Sequence, residues 1–396
     1  MVNFKKDKPK RDYHFQKSIS REVLENYLSR AVTQLFLLYR DSKSEFEKNL
    51  KMLSDIGAKF IGRAAGIWNV GYGQDYWNKI QKRIKVAHQK NPDFIFQTCL
   101  FETVHQNVEQ VKIPEWVWAE FEQKVESRTF NYTDMLYTDG TFKNHWGEGL
   151  SVPDMSKLET RMWFYYRAVK YINSGIEAIH FGQVHLMDNN DPNYDYWYGL
   201  LNRIRKYAQK EARRGLILAD AHTHGIVKNN QVLFDFHSFP LRPKEVENQP
   251  QNAILEINYL DSIYQNSCGG ITPGGWYAES MPFLAEMDNF GGVINNPGQC
   301  SIDSYTVWGY DEISWFARQS EKYRNQWLKY AWDWIRENDA NGYFQMVTKR
   351  TLGGYPVEKE YENKKIKVDY YRANQETQLK EGFNQQKIIK KIWNSN

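Results

Sequence analysis

Two glutamates each close a strongly apolar run, Glu102 in FIFQTCLFE and Glu286 in MPFLAE. Such runs read as buried strands, and a carboxyl at the end of one is either a reacting group or half of an ion pair. Two carboxyls brought from different strands to one cleft suit cleavage of a glycosidic bond. One protonates the leaving oxygen, the other attacks or activates water, and their separation selects the stereochemical outcome. The competing account is that each glutamate pairs with an arginine or lysine at the mouth of the core.

A second cluster lies in GLILADAHTHG, with Asp220, His222 and His224, followed by VLFDFHSF with Asp235 and His237. Histidines one residue apart share a face of an extended strand, which suits a metal ion or the hydroxyls of a sugar. A zinc held by His222 and His224 with His237, His185 or an acid would activate a bound water. Neither HExxH nor a spaced cysteine partner accompanies the pair, and no histidine follows the later apolar runs. Substrate positioning is therefore the preferred role, with no metal ligands assigned and a metal-dependent hydrolase as the alternative. Asp220 and Asp235 sit inside their runs, as site residues or as buried ion-pair partners, for which Arg63 is a natural mate.

These residues need a scaffold. SISREVLENYLSRAVTQLFLLY has helical spacing, with Ser20 as its cap and Glu22 in the first turn. Beyond it, apolar runs near residues 59, 94, 134, 176, 216, 232, 281 and 343 alternate mostly with amphipathic helical stretches. The run at 134, DMLY, is short, and the gap between the runs at 216 and 232 is too small for a helical crossover. The pattern predicts an α/β fold, a (β/α)8 TIM barrel with an N-terminal helical segment and a C-terminal extension. Residues 1–17 read as a basic tail, 18–350 as the barrel and 351–396 as the extension.

In such a barrel the C-terminal strand ends form the working face. That rule selects Arg63 and Trp68, Glu102 and His105, Gln183 and His185, Asp220 with His222 and His224, Asp235 with His237, and Glu286 with Asp288. Trp68, Trp146, Trp276 and Trp308 all fall in Gly- and Asn-rich text between runs. Flat indole faces there would cover a pyranose, with loop packing as the plain alternative.

Composition removes other classes. The formal charge is +4 over 396 residues, with basic residues at both ends and no long basic stripe, which argues against nucleic acid. No GxGxxG, GxxxxGK[ST] or GxSxG pattern occurs, so no nucleotide cofactor and no serine nucleophile is assigned. The three cysteines form no disulfide framework, and no run of about 18 apolar residues offers a transmembrane segment. A removed export signal would leave the same text, so the compartment and the oligomeric state stay open.

ISREVLENYLSRAV, GAKFIGRAAGIW, FIFQTCLFE, IEAIHFGQV and MPFLAEMDNFG together resemble (β/α)8-barrel proteins of gut and environmental bacteria described as glycoside hydrolase-like, with no established substrate. The resemblance spans roughly 18 to 350 and implies an oligosaccharide or glycoside ligand. Retaining barrel glycosidases look similar in carrying a glutamate nucleophile after the seventh strand, a role the resemblance gives to Glu286. They carry an Asn-Glu acid/base after the fourth strand. Here HFGQV puts Gln183 in that place, and Gln cannot donate a proton as an acid does. Either the acid comes from Glu102, or the barrel binds a glycan without cleaving it.

Overall fold

A computed structural model of the chain describes residues 11–66, 73–246, 249–289, 311–353 and 357–395. Among the described residues, eight strands form one parallel ring: β1 Ala31–Gln34, β2 Phe60–Ala65, β3 Ile95–Cys99, β4 Ala178–His180, β5 Leu218–Asp220, β6 His237–Pro240, β7 Phe283–Glu286 and β8 Gly342–Thr351. β8 returns to pair with β1. Between β5 and β6 the closure is a single parallel bridge, His222 opposite Ser238, with the Ser238 N–H donating to the Ala221 carbonyl at 3.1 Å. This near-closed ring is the expected TIM-barrel class.

Helices α1 Arg21–Leu28, α2 Lys43–Ile56, α3 Gln74–Lys90, α4 Glu115–Glu120, α5 Leu158–Asn173, α6 Asp195–Glu211, α7 Glu312–Arg318, α8 Glu321–Asn338 and α9 Gln386–Ser395 complete the main frame. Strand side chains alternate between faces. Val32, Ile61, Phe96, Ile179 and Phe344 point outward into one apolar cluster with Leu50, Ile80, Trp163, Leu200 and Leu328 of the surrounding helices. Ala31, Phe60, Ile95, Ala178, Leu218, Leu284 and Tyr343 point inward at the N-terminal end and pack on Phe15, Ile19, Leu24, Tyr27 and Leu28. α1, capped by the Ser20 hydroxyl on the Val23 N–H, therefore plugs the bottom of the barrel. No described helix is long and apolar enough to cross a membrane.

Three elements differ from the sequence expectation. The helix drawn from Ser18 stops at Leu28, and its continuation AVTQ is the first barrel strand. The outward and inward faces of Ala31–Gln34 are both buried, so apolar spacing alone cannot separate strand from helix there. DMLY is no strand: Thr133–Met135 forms one 3₁₀ turn. One omission and one addition leave the count at eight. The sixth strand starts at His237 rather than near 232. Gln231–Val232 instead pairs with Val227–Lys228 in a small hairpin that replaces the helical crossover between β5 and β6. The C-terminal segment adds Tyr370–Arg372 antiparallel to β8, and α9 reaches α2 through Lys390 and Asp55 at 2.7 Å.

The plug predicts a core penalty. Leu24 is fully buried, and Leu24→Ala is expected to cost about 2–5 kcal/mol in urea unfolding. A loss below about 1 kcal/mol would show that α1 does not seal the barrel.

Candidate active site

One layer above the plug, the inward positions turn polar. Thr33, Gln97, His180, Asp220, Ser238, Glu286 and Gln345 are all buried. β2 contributes through a bulge: it runs from Ile61 to Ala65 while β3 advances only from Phe96 to Thr98. Within that bulge Arg63 takes φ +56°, a conformation costing a branchless non-glycine residue about 1–3 kcal/mol, and its side chain turns into the barrel. Gly62 precedes it because a Cβ there would stand 2.5 Å from the Gln345 amide nitrogen.

Arg63 Nε lies 2.8 and 2.9 Å from the two carboxylate oxygens of Glu286, and Nη2 donates to Oε1 as well. Glu286 Oε2 also accepts from the Thr33 hydroxyl at 3.0 Å and the Gln345 amide at 3.3 Å. Burial alone would raise this carboxyl, but the Arg63 charge outweighs burial and holds it at about 2. On the far side of the ring, Asp220 accepts from Gln97 Nε2 at 2.7 Å, His180 Nδ1 at 2.7 Å and Ser238 Oγ at 2.8 Å. The Arg63 N–H donates to Gln97 Oε1 at 3.2 Å and joins the two halves.

Above this layer opens a cavity of about 1220 Å3 at the C-terminal strand ends. Arg63, Glu102, Gln183, His185, His222 and Asp288 of the expected residues line it, with aromatic walls from Phe36, Phe101, Trp146 and Phe239. Glu102 follows β3 and is only 3% exposed. Its Oε2 accepts from the Gln183 N–H at 2.8 Å and its Oε1 from the Gln183 amide at 3.3 Å. Gly182, at φ +68°, permits this approach, since a Cβ would fall 1.8 Å from Glu102 Oε2. Burial pushes the Glu102 carboxyl up.

Asp288 behaves in the opposite way. Burial opposes its ionisation, yet Arg350, whose Nη2 donates at 2.6 Å, together with Arg63 and Arg242 holds it well below the carboxylate range. Behind it Glu312 accepts the Asp288 N–H at 3.0 Å and is pushed up to about 8 by burial. Burial keeps His222 neutral by lowering it well below its ordinary value. Cys99 also lines the cavity, but burial raises its thiol to about 12, which removes it as a nucleophile at neutral pH.

Other expected residues lie elsewhere. Asp220 and Glu286 belong to the polar layer, and neither is among the cavity-lining residues. His237 is buried, pairs with the Ser267 hydroxyl at 2.8 Å, and is lowered to about 3 by burial. Asp235 is the ion-pair alternative, bonded to Arg205 at 3.2 Å and the Ala219 N–H at 2.9 Å. Trp276 is a correction: its indole donates to the Ile19 carbonyl at 3.1 Å, at the plugged end of the barrel. Glycine-rich text marked a loop without saying which end of the barrel carries it. Trp68 and Trp308 lie outside the described residues. Among the described residues no group of three or more His, Cys, Asp or Glu is arranged to hold a metal ion.

Arg242 and Arg350 line the cavity and were missed. The strand-end rule that selected Asp288 would have selected both, since Arg242 closes FHSFPLR and Arg350 closes GYFQMVTKR.

No protein-family model and no curated protein matches the chain. Among solved structures it is similar to a Nostoc punctiforme debranching enzyme. In the acarbose-soaked form the two share 11% identity over 97% of this chain and 83% of that one, with a TM-score of 0.45. In the native form they share 12% over 57% and 53%, at 0.32. A maltogenic alpha-amylase from Thermotoga neapolitana is similar at 12% over 52% and 48%, with a TM-score of 0.33. The chain spans about half the length of the native-form enzyme and of the amylase in these alignments. Likenesses of this size give no residue of the cavity a role.

The buried pair makes a stability prediction. Glu286→Gln leaves Arg63 uncompensated and is expected to cost about 3–5 kcal/mol at pH 7. An unfolded glutamate titrates near about 4.3 and the folded one at about 2, so the pair's contribution is complete above the unfolded value. The gap between wild type and variant should then shrink as pH falls from about 5 towards about 2. A gap independent of pH would contradict the ion pair.

Proposed function

We propose that the chain is a glycoside hydrolase-like enzyme that holds a sugar in the 1220 Å3 cavity. The observation that carries this reading is a pair of carboxyls lining one cavity and pushed in opposite directions, Glu102 up and Asp288 down. Environments that separate two carboxyls in this way assign one as proton donor and the other as the anion. β3 and β7 stand on opposite sides of the ring, which leaves room for a ligand between them. Glu102 protonates the leaving oxygen, and an ionised carboxylate of the β7 side attacks or activates water. Asp288 reaches the cavity directly, while Glu286 lies in the layer beneath and fixes Arg63. The aromatic walls supply apolar cover for a ring, and His185, Gln183 and His222 supply polar edges.

A carbohydrate-binding barrel without turnover is the second reading. Gln183 standing after β4, and the engagement of both Glu102 oxygens by that one residue, favour it.

Glu102→Gln and Asp288→Asn are each expected to cut turnover of aryl glycosides by about 100- to 10,000-fold, Glu102→Gln with thermal unfolding close to wild type and Asp288→Asn with a lowered melting temperature, since it leaves the buried Arg350 without its countercharge. Either variant cleaving at the wild-type rate would sink the assignment. A wild type that binds oligosaccharides in calorimetry yet cleaves none of a broad glycoside panel would establish the binding reading.

A further inference from the structure

Two side chains on the cavity wall, Arg350 and His222, keep buried nitrogens that no protein group engages among the described residues. Arg350 is 7% exposed and lines the cavity, yet its guanidinium makes one hydrogen bond among the described residues, from Nη2 to Asp288. Its Nε is buried with no partner. Arg63 spends Nε and Nη2 on Glu286. Arg242, also on the cavity wall, is fully engaged, by both oxygens of Asp261 at 2.5 and 3.2 Å and by Glu312 at 3.2 Å. The His222 ring also lines the cavity with its buried Nε2 unpartnered. A guanidinium cannot shed its proton at physiological pH, so its unfilled N–H groups are permanent donors, and a planar fork matches a carboxylate or a sulfate ester. A neutral sugar offers only hydroxyl oxygens to those donors, whereas an anionic one offers charged oxygens that make stronger bonds.

We propose that this cavity recognises an acidic sugar, a glycosyl unit carrying a carboxylate or a sulfate ester, with Arg350 as the residue that selects for the anion. The assignment rests on the carbohydrate reading above and adds the charge of the ligand to it. Arg350 stays paired with Asp288 while its remaining nitrogens turn to the substrate anion. Arg63 and Arg242 line the same cavity but are already paired with carboxyl groups, which leaves Arg350 as the guanidinium with nitrogens to offer.

The test is binding rather than turnover, on the full-length Glu102→Gln chain so that no ligand is consumed. Calorimetry would compare methyl glucuronide and methyl galacturonide, their oligosaccharides, sulfated glucose and galactose oligosaccharides, and the neutral glucose and galactose counterparts. The expected result is tighter binding of a uronate or a sulfated sugar than of its neutral counterpart by roughly ten- to hundredfold, with the preference weakening as salt rises. The two acidic series decide between carboxylate and sulfate. Arg350→Gln should remove most of that preference and leave affinity for neutral sugars within about threefold, and Arg350→Lys should restore only part of it. Thermal unfolding of both variants checks the fold. Neutral sugars binding as tightly as acidic ones would overturn the inference and leave the carbohydrate reading standing. Binding of no sugar at all would remove both.

Discussion

The buried pair between Arg63 and Glu286 is the interaction on which the working face depends. It joins β2 to β7 across the barrel and sets Arg63 in a backbone conformation that a non-glycine residue avoids unless its surroundings impose it. A buried ion pair is weak evidence of net stability, because removing both charges from water offsets most of their attraction. Its effect is on geometry. With Glu286 saturated by Arg63, Thr33 and Gln345, the β7 end is fixed, and Asp288 two residues on is carried into the cavity wall. The bulge that turns Arg63 inward needs Gly62, and Gln345 occupies the space a side chain there would take.

Above that layer the walls divide electrostatically. On the β7 and β8 side, Arg350 bonds Asp288 and, with the charges of Arg63 from β2 and Arg242 after β6, keeps it ionised. On the β3 and β4 side, Glu102 is shielded by Phe101, Trp146 and Gly182, with burial favouring its neutral form. Low local dielectric strengthens both tendencies, since a charge is favoured only where a countercharge is at hand. The same principle accounts for Cys99 and His222, which stay neutral beside charged neighbours because they are buried.

Much of this frame was legible in the chain. Seven of the strands follow apolar runs that the sequence displays, and Ser20 acts as the cap its position suggests. Cavity residues Arg63, Glu102, Gln183, His185, His222 and Asp288 were all found by asking which polar side chains close those runs. The failures share a cause. AVTQ sits between a helix and a loop with both faces buried, so its pattern has no period to read. DMLY is buried through Met135 and Leu136 yet pairs with no strand among the described residues. Trp276 packs under the barrel because its loop belongs to a small sheet beside Ile19, and a loop's composition carries no information about which end it covers.

Local spacing by itself determined the class of fold and the list of polar groups at strand ends, because burial forces apolar residues into runs and leaves the breaks visible. Tertiary structure decided which of those groups meet. Glu286 was legible as a strand-end carboxylate, but its partner Arg63 stands 223 positions away and reaches it only through a bulge. Whether a carboxyl is ionised, neutral or spent on an arginine depends on neighbours from other strands, and those neighbours exist only once the ring has closed.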